Sequence, residues 1–123
     1  TEWVNIETWG RLIEFGGKAV DGMVLHSYFD HDSKAPGMLR LHQAYRERFQ
    51  REPGFAGVAA YDAAHVVLEG LARQSGGQTL HDALLTRGPF AGAEENIIFD
   101  GNGDSRRIPH ITVVRDGHFV TLR

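Results

Sequence analysis

The chain of 123 residues has the length of one small domain. Its hydrophobic share of 41%, charged share of 24% and net charge of −3 are ordinary for a soluble globular protein, and its scattered Lys and Arg residues do not form the basic stripe of a nucleic-acid-binding protein. The absence of cysteine excludes disulfides and thiolate metal sites.

The N-terminal segment predicts a helix followed by a strand. Asn5 is a suitable N-cap for a helix from about residue 6 to residue 15, and Gly16-Gly17 ends it because glycine takes the left-handed C-cap conformation without a Cβ penalty. Residues 23–25 predict a short strand, and residues 26–33 a loop that mixes aromatic and polar side chains. The opening sequence TEWVNIETWG has no initiating Met, and we expect the chain to be a piece of a longer protein.

A second helix is predicted from Pro36 to about residue 50. Proline fits the first helical position because the N–H that it lacks has no helical partner there. Apolar residues recur at steps of three or four and form one stripe, so this helix is amphipathic and lies at the surface. The stripe consists of Met38, Leu41, Tyr45 and Phe49.

The central helix, predicted at about residues 58–74, is the most apolar stretch of the chain. Pro53-Gly54 precedes it and Ser75-Gly76-Gly77 follows it, so breakers stand on both sides. A helix that is hydrophobic nearly all round is a buried helix, packed on more than one side. Three short strands and two small helices cannot cover it, so we expect a missing lobe or a second copy of the chain to cover this helix together with strands 23–25 and 97–99.

The last third predicts one short helix and then strands and turns. Thr79 and Asp82 have the spacing of a capping box for a helix over residues 80–86, which Gly88-Pro89 ends. Residues 97–99 predict a strand and residues 100–104 a turn. Residues 108–114 and 118–122 flank Asp116-Gly117, a strong signal for a β-hairpin. Helices that alternate with single strands before a closing hairpin indicate the α/β class.

Possible metal sites and catalytic groups have weaker support than structural alternatives. Asp100, Asn102 and Asp104 alternate as in a calcium loop, but Ser105 and Ile111 occupy the places of the loop's glycine and bidentate glutamate, so we predict a plain turn. The seven histidines show no repeated spacing, and the local group of His26 and His31 with Asp30 and Asp32 is a weak candidate. We predict no metal, no cofactor and no enzymatic activity, because no nucleophile with a positioned base is recognisable.

Five segments carry a resemblance to a known family. They are GGKAVDGMVLHSYFDHDSKAP, LHQAYRERFQREPG, AAYDAAHVVLEGL, PFAGAEENIIFDGNGDSRR and ITVVRDGHFV. In this order and spacing, the chain resembles the C-terminal third of a type I periplasmic binding protein, the branched-chain amino acid (Leu/Ile/Val-type) receptor of ABC importers.

The resemblance implies a fragment of a fold with two α/β lobes joined by crossover strands. Residues 1–24 would form the end of the second lobe and the start of a crossover. Residues 25–107 would form the C-terminal part of the first lobe, and residues 108–123 the return crossover with the terminal hairpin. The central helix would then lie against a parallel sheet that this chain lacks, and the sheet's other face would also be covered.

The resemblance also implies a set of ligand contacts. Glu2 or Glu7 would face the ammonium group of an amino acid, with Trp3 or Trp9 as a stacking wall. Tyr28, just after the crossover, would reach the cleft, and Phe55 would place an aromatic ring against the ligand. For Tyr61-Asp62 the residues themselves favour a structural role in orienting the central helix.

The implied function is that of a ligand-binding segment for a small amino-acid-like solute, located in the periplasm or another extracytoplasmic compartment. Its partners would be this small molecule and, through the intact receptor, an ABC permease, with no nucleic acid. The alternative is the ligand-sensing domain of a signalling receptor or regulator, which the same scaffold would serve.

Overall fold

The computed structural model describes residues 7–30 and 32–122, with side chains from residue 11 onward. The chain divides into two compact units, which we call the first unit, up to Ser33 and from Ile108, and the second unit, Lys34–Arg107. The polypeptide therefore passes between the units twice. The assignment of these units to the lobes of a receptor stays a prediction.

The first unit is built on a three-stranded antiparallel sheet. Helix α1, Glu7–Gly16, leads through a 3-10 turn, Gly17–Val20, into strand β1, Val24–Ser27. Strands β4, His110–Arg115, and β5, His118–Leu122, complete the sheet, with β4 in the middle of the order β1-β4-β5.

One face of this sheet is buried and the other carries exposed apolar side chains. Side chains alternate between faces along a strand. Thr112 and its cross-strand partner Thr121 are buried on one face. On the opposite face, Val24, Ile111 and Leu122 are exposed, although Val113 in the middle of that face is buried.

The predicted hairpin turn at Asp116-Gly117 is confirmed. Both residues have positive φ, 49° and 74°, as a two-residue turn between twisted strands requires. The N–H of Asp116 donates a hydrogen bond to the Asp21 carboxylate at 2.8 Å, so the turn is also tied to the segment that precedes β1.

The second unit contains three helices and a small hairpin. Helix α2 is Pro36–Phe49, α3 is Phe55–Ala72 and α4 is Leu80–Thr86. Strands β2, Phe90–Ala91, and β3, Asn96–Ile97, pair antiparallel. Helix α3 begins about three residues before the expected position and ends two residues earlier.

The ends of α2 follow local sequence signals. Pro36 stands at the first helical turn, as predicted. Gln50 ends the helix with a φ of 54°, and its N–H donates to the carbonyl of Arg46 at 2.9 Å. This left-handed cap gives a donor to one of the helix's last carbonyl groups, which would otherwise lack a partner.

Within this chain, α3 is buried on one side only, as expected from the few short elements that are available to cover it. Its buried residues, spaced four apart, form one straight stripe of Val58, Asp62, Val66 and Gly70. The opposite side is exposed because α4 and β2 pack against the helix and no other described element makes comparable contact. That exposed side consists of Ala60, Ala63, Ala64, Val67, Leu68 and Leu71.

The core of the second unit lies between α3 and the small hairpin. Val66, Phe90 and Ile97 are buried together, with Leu84 and Phe99 packed against them. The expected strand over residues 97–99 is wrong in its bounds, because β3 ends at Ile97 and Phe99 forms only a single bridge with Ser105.

The predicted capping box of α4 is confirmed. The N–H of Asp82 donates to the Thr79 hydroxyl at 3.1 Å, and the N–H of Thr79 donates to the Asp82 carboxylate at 3.2 Å. Each side chain thus satisfies a backbone donor that the first helical turn leaves without a partner.

Candidate ligand-binding site

Among the predicted ligand contacts, the structure describes the side chains of Tyr28 and Phe55. Glu2 and Trp3 lie outside the described residues. Glu7 is the first residue of α1, but its side chain lies outside the described part of the chain, as does that of Trp9. Tyr28 belongs to the first unit and Phe55 to the second.

Tyr28 is presented by a tight turn at the end of β1. The Ser27 hydroxyl donates to the carbonyl of Phe29 at 2.8 Å and accepts from its N–H at 3.3 Å. Ser27 and Phe29 are buried, whereas the intervening Tyr28 is 46% exposed. The turn therefore directs the tyrosine ring outward between two anchored neighbours.

The ring of Tyr28 also has a fixed neighbour. It meets the imidazole of His26 edge-on, with ring centroids 4.7 Å apart and an interplanar angle of 76°. His26 lies on β1 and Tyr28 in the turn that follows Ser27, so this turn brings the two rings together. The edge-to-face arrangement is one of the geometries that aromatic pairs prefer, and the Tyr28 ring remains partly exposed beside it.

The carboxylate and carbonyl of Asp30 hold the backbone that follows this turn. Asp30 is buried and accepts the N–H of Asp32 at 2.9 Å, while its carbonyl accepts the N–H of Ser33 at 3.1 Å. The weak metal candidate around His26 and Asp30 has one member, His31, outside the described residues. Elsewhere in the described chain, no group of three His, Cys, Asp or Glu side chains is placed to hold a metal ion.

Phe55 occupies the first position of α3 and is half-buried. The helix begins without a side-chain cap, because its N-cap residue is Gly54. Gly57 allows close packing here, since a Cβ on it would lie 3.3 Å from Pro53 and 3.4 Å from the ring of Tyr45. The start of α3 thus has no capping side chain and lies close to Pro53 and to the ring of Tyr45 on α2.

The structural role predicted for Tyr61-Asp62 agrees with the observed contacts. Asp62 is 4% exposed; one carboxylate oxygen accepts the N–H of Ala93 at 2.7 Å and the other pairs with the guanidinium of Arg107. The Tyr61 ring lies against the imidazole of His65, with centroids 4.2 Å apart. These residues orient α3 within the second unit.

Sequence reasoning missed the partners of Asp62. A buried carboxylate needs a cation or several N–H donors, which is a signal that a partner exists. It does not say which of the arginines is that partner, because Arg107 is 45 positions away in sequence.

The turn at residues 100–104 is confirmed as a backbone-capped turn. The Asp100 carboxylate accepts the N–H of Asn102 at 2.9 Å and of Asp104 at 3.1 Å. These bonds favour the charged form, and the bond from Asn102 contributes most to holding the pKa of Asp100 below its ordinary value.

Comparison with known proteins shows similarity at the level of structure. The chain matches the leucine-binding protein LivK of Thermotoga maritima with a TM-score of 0.77 and 25% identity over 93% of this chain and 33% of that one. It matches a putative branched-chain amino acid ABC transporter protein of Rhodospirillum rubrum with a TM-score of 0.73 and 27% identity over 92% and 34% of the two chains.

A third structure shares the fold alone. It is an ABC transporter substrate-binding protein of Desulfitobacterium hafniense in complex with Leu, with a TM-score of 0.73 and 20% identity over 94% of this chain and 39% of that one. No family model matches the sequence, and no curated protein matches it. The chain spans about a third of the length of the structures that it matches.

These matches identify the chain as a portion of a solute-receptor fold. More particularly, the chain carries part of the type I periplasmic-binding-protein fold, as found in the branched-chain amino acid receptors of ABC transporters. No described helix has both the length and the hydropathy needed to cross a membrane.

Proposed function

We propose that the chain is a non-enzymatic segment of an extracytoplasmic solute receptor that binds a small amino-acid-like ligand and delivers it to an ABC permease. The observation that carries this proposal is the match to the leucine-binding protein LivK over 93% of the chain. The extracytoplasmic location and the permease partner follow from the same similarity.

The proposed ligand contacts are Tyr28 and Phe55, with Glu2, Trp3 and Glu7 at the N-terminal end. Tyr28 supports the proposal because its ring is exposed yet held between buried neighbours and against His26. An aromatic face of this kind suits an aliphatic or aromatic side chain, and a carboxylate at the N-terminal end suits an ammonium group. Ligand binding would favour the closed arrangement of such a receptor through contacts made only there.

The isolated chain is expected to bind no free amino acid with useful affinity, because a chain spanning a third of a receptor supplies only part of a cleft. Titration calorimetry against the twenty amino acids tests this expectation. Micromolar binding by the isolated chain would contradict the proposal that the remaining contacts lie in other sequence.

A chimera tests the function itself. The matched third of Thermotoga maritima LivK is replaced by this chain, and the product is expected to bind at least one amino acid in the same calorimetric panel. Tyr28→Ala in the chimera should weaken binding about tenfold, the scale of losing one aromatic contact at a binding surface. Phe49→Ala is the matched control, since that ring, at the C-terminal end of α2, is 48% exposed, much as Tyr28 is, and it should leave the affinity unchanged. A chimera that melts cooperatively but binds no amino acid would refute the proposed function.

A further inference from the structure

Asp62 is a buried carboxylate of α3 whose two oxygens hold two different parts of the chain. One oxygen fixes the backbone N–H of Ala93, in the loop between β2 and β3, and the other pairs with Arg107. The Arg107 side chain is 20% exposed, so both members of the pair are largely removed from water. Buried charge pairs with additional hydrogen bonds hold their partners in defined positions.

Arg107 stands where the chain leaves the second unit. It is the last residue of that unit, and the next residue, Ile108, is 73% exposed. The preceding N–H, of Arg106, donates to the carbonyl of Ile98 at 3.3 Å. The Asp62 pair therefore anchors the chain immediately before its second passage between the units.

The first connection between the units, which precedes α2, is also linked to Ala93, through Gly37 of α2. The second unit begins at Lys34, and α2 starts two residues later. A Cβ on Gly37 would lie 2.4 Å from the carbonyl oxygen of Ala93, the residue whose N–H Asp62 holds. The first turn of α2 therefore packs directly on backbone that the carboxylate fixes.

We propose that Asp62 is a positioning residue that couples the two connections of the second unit, so that a displacement of one is transmitted to the other. Any effect of this coupling on ligand-driven closure rests on the proposed function, whereas the coupling itself is a property of the second unit alone.

Hydrogen exchange on the full chain tests the coupling without any ligand. Gly37→Ala perturbs the first connection, since the new Cβ and the Ala93 carbonyl cannot both keep their places. We expect the N–H of Arg106, at the second connection, to exchange roughly tenfold to hundredfold faster, the range produced by losing a hydrogen bond to a charged group.

Asp62→Asn is the second variant, because it keeps the side-chain volume where Gly37→Ala adds an atom. The amide no longer carries the charge that holds Arg107, and as a neutral group it is a weaker acceptor for the N–H of Ala93. We expect the exchange of both Arg106 and Leu39, whose N–H donates to the carbonyl of Ala35 in the first turn of α2, to accelerate together.

Two matched controls separate coupling from general loosening. Glu69→Gln alters a second carboxylate of α3, which accepts the N–H of Ala91 at 3.2 Å and pairs with Arg73, and it should accelerate Ala91 while leaving Arg106 and Leu39 unchanged. Gly101→Ala adds a Cβ in open space and should change the exchange of none of these amides.

If Asp62→Asn accelerates the exchange of Arg106 alone, or of neither amide, the coupling is refuted. Failure of the receptor proposal would instead appear as a chimera that does not bind.

Discussion

Two aspartates accept hydrogen bonds from nearby backbone amides, Asp82 in the first turn of α4 and Asp100 at the start of the turn at residues 100–104. Asp82 accepts the hydroxyl and the N–H of Thr79, and the hydroxyl contributes most to lowering the pKa of Asp82 from its ordinary value of 3.8. Asp100 does the same for two amides of the following turn. Bonds of this kind are stronger when the acceptor is charged, so they link local structure to pH.

The capping box should lose its charge-dependent part in acid. Because the pKa of Asp82 is lower in the folded chain than in the unfolded one, its contribution is complete above about pH 4, the ordinary value, and is lost as the pH falls through the lower folded value. The difference in melting temperature between the wild-type chain and Asp82→Asn should therefore shrink as the pH falls below about 4. Thr79→Val, which removes the main partner, should abolish most of this dependence. A difference that is constant with pH would contradict the role assigned to the pair.

Calcium should not change stability through the turn at residues 100–104. One oxygen of the Asp100 carboxylate already accepts two backbone N–H groups, and Ser105 and Ile111 stand where a calcium loop has its glycine and bidentate glutamate. Thermal melts with calcium and then with chelator should give the same midpoint. A shift of several degrees, removed by Asp100→Asn, would reveal a site there.

At the level of elements, the terminal hairpin depends on two residues with positive φ. Glycine adopts such a conformation without strain, and Asp tolerates it better than most residues. Gly117→Val should cost about 2 kcal/mol, because a β-branched side chain fits this backbone poorly. That cost corresponds to a fall of about 8 °C in the melting temperature.

The matched control for the hairpin is Asp116→Asn, which keeps a residue type suited to positive φ and should shift the melt by less than a quarter as much. Both melts are measured by circular dichroism at neutral pH. Equal shifts for the two variants would show that the turn conformation does not limit stability.

Helix α4 and the terminal hairpin were predictable from sequence because local chemistry decides them. The Thr79–Asp82 pair defines the start of α4, and Asp116-Gly117 defines the hairpin. Both signals are local in sequence and do not depend on long-range contacts. The two-residue strands β2 and β3 were not predictable, since their pairing depends on Phe90 and Ile97 meeting beneath α3. Pairing of that kind is set by packing rather than by propensity.

The candidate site was predictable only in part for a related reason. Tyr28 was selected through the family resemblance, but the features that present it are the Ser27 turn and the His26 ring. Likewise, the Asp62–Arg107 pair joins residues 45 positions apart, and no sequence spacing encodes such a contact. Long-range partners follow from the fold, so a single sequence identifies the buried charge without its partner.

At the level of the whole molecule, each unit has an apolar face that the described residues leave exposed. In the first unit it is the sheet face with Val24, Ile111 and Leu122, and in the second it is the outer side of α3. Contiguous apolar surface on a water-exposed helix or sheet marks an interaction surface or an aggregation hazard. Since the chain spans about a third of the structures that it matches, we expect other polypeptide to cover these faces.

The isolated chain should therefore self-associate, chiefly through α3. Leu68 is 64% exposed, and Val67 and Leu71 beside it are also exposed, on a side of the helix that carries no charged residue between positions 60 and 68. Burying one such side chain is worth about 1.5–3 kcal/mol, so covering all three is a large gain against a typical stability of about 5–15 kcal/mol.

The double variant Leu68→Glu and Leu71→Lys should reduce the association measured by light scattering without lowering the melting temperature, since neither side chain is buried in the unit. Leu39→Glu, at an exposed leucine of α2, is the matched control and should leave the association in place. A wild-type chain that stays a well-dispersed monomer with a sharp melt would refute the expectation that these faces need a cover.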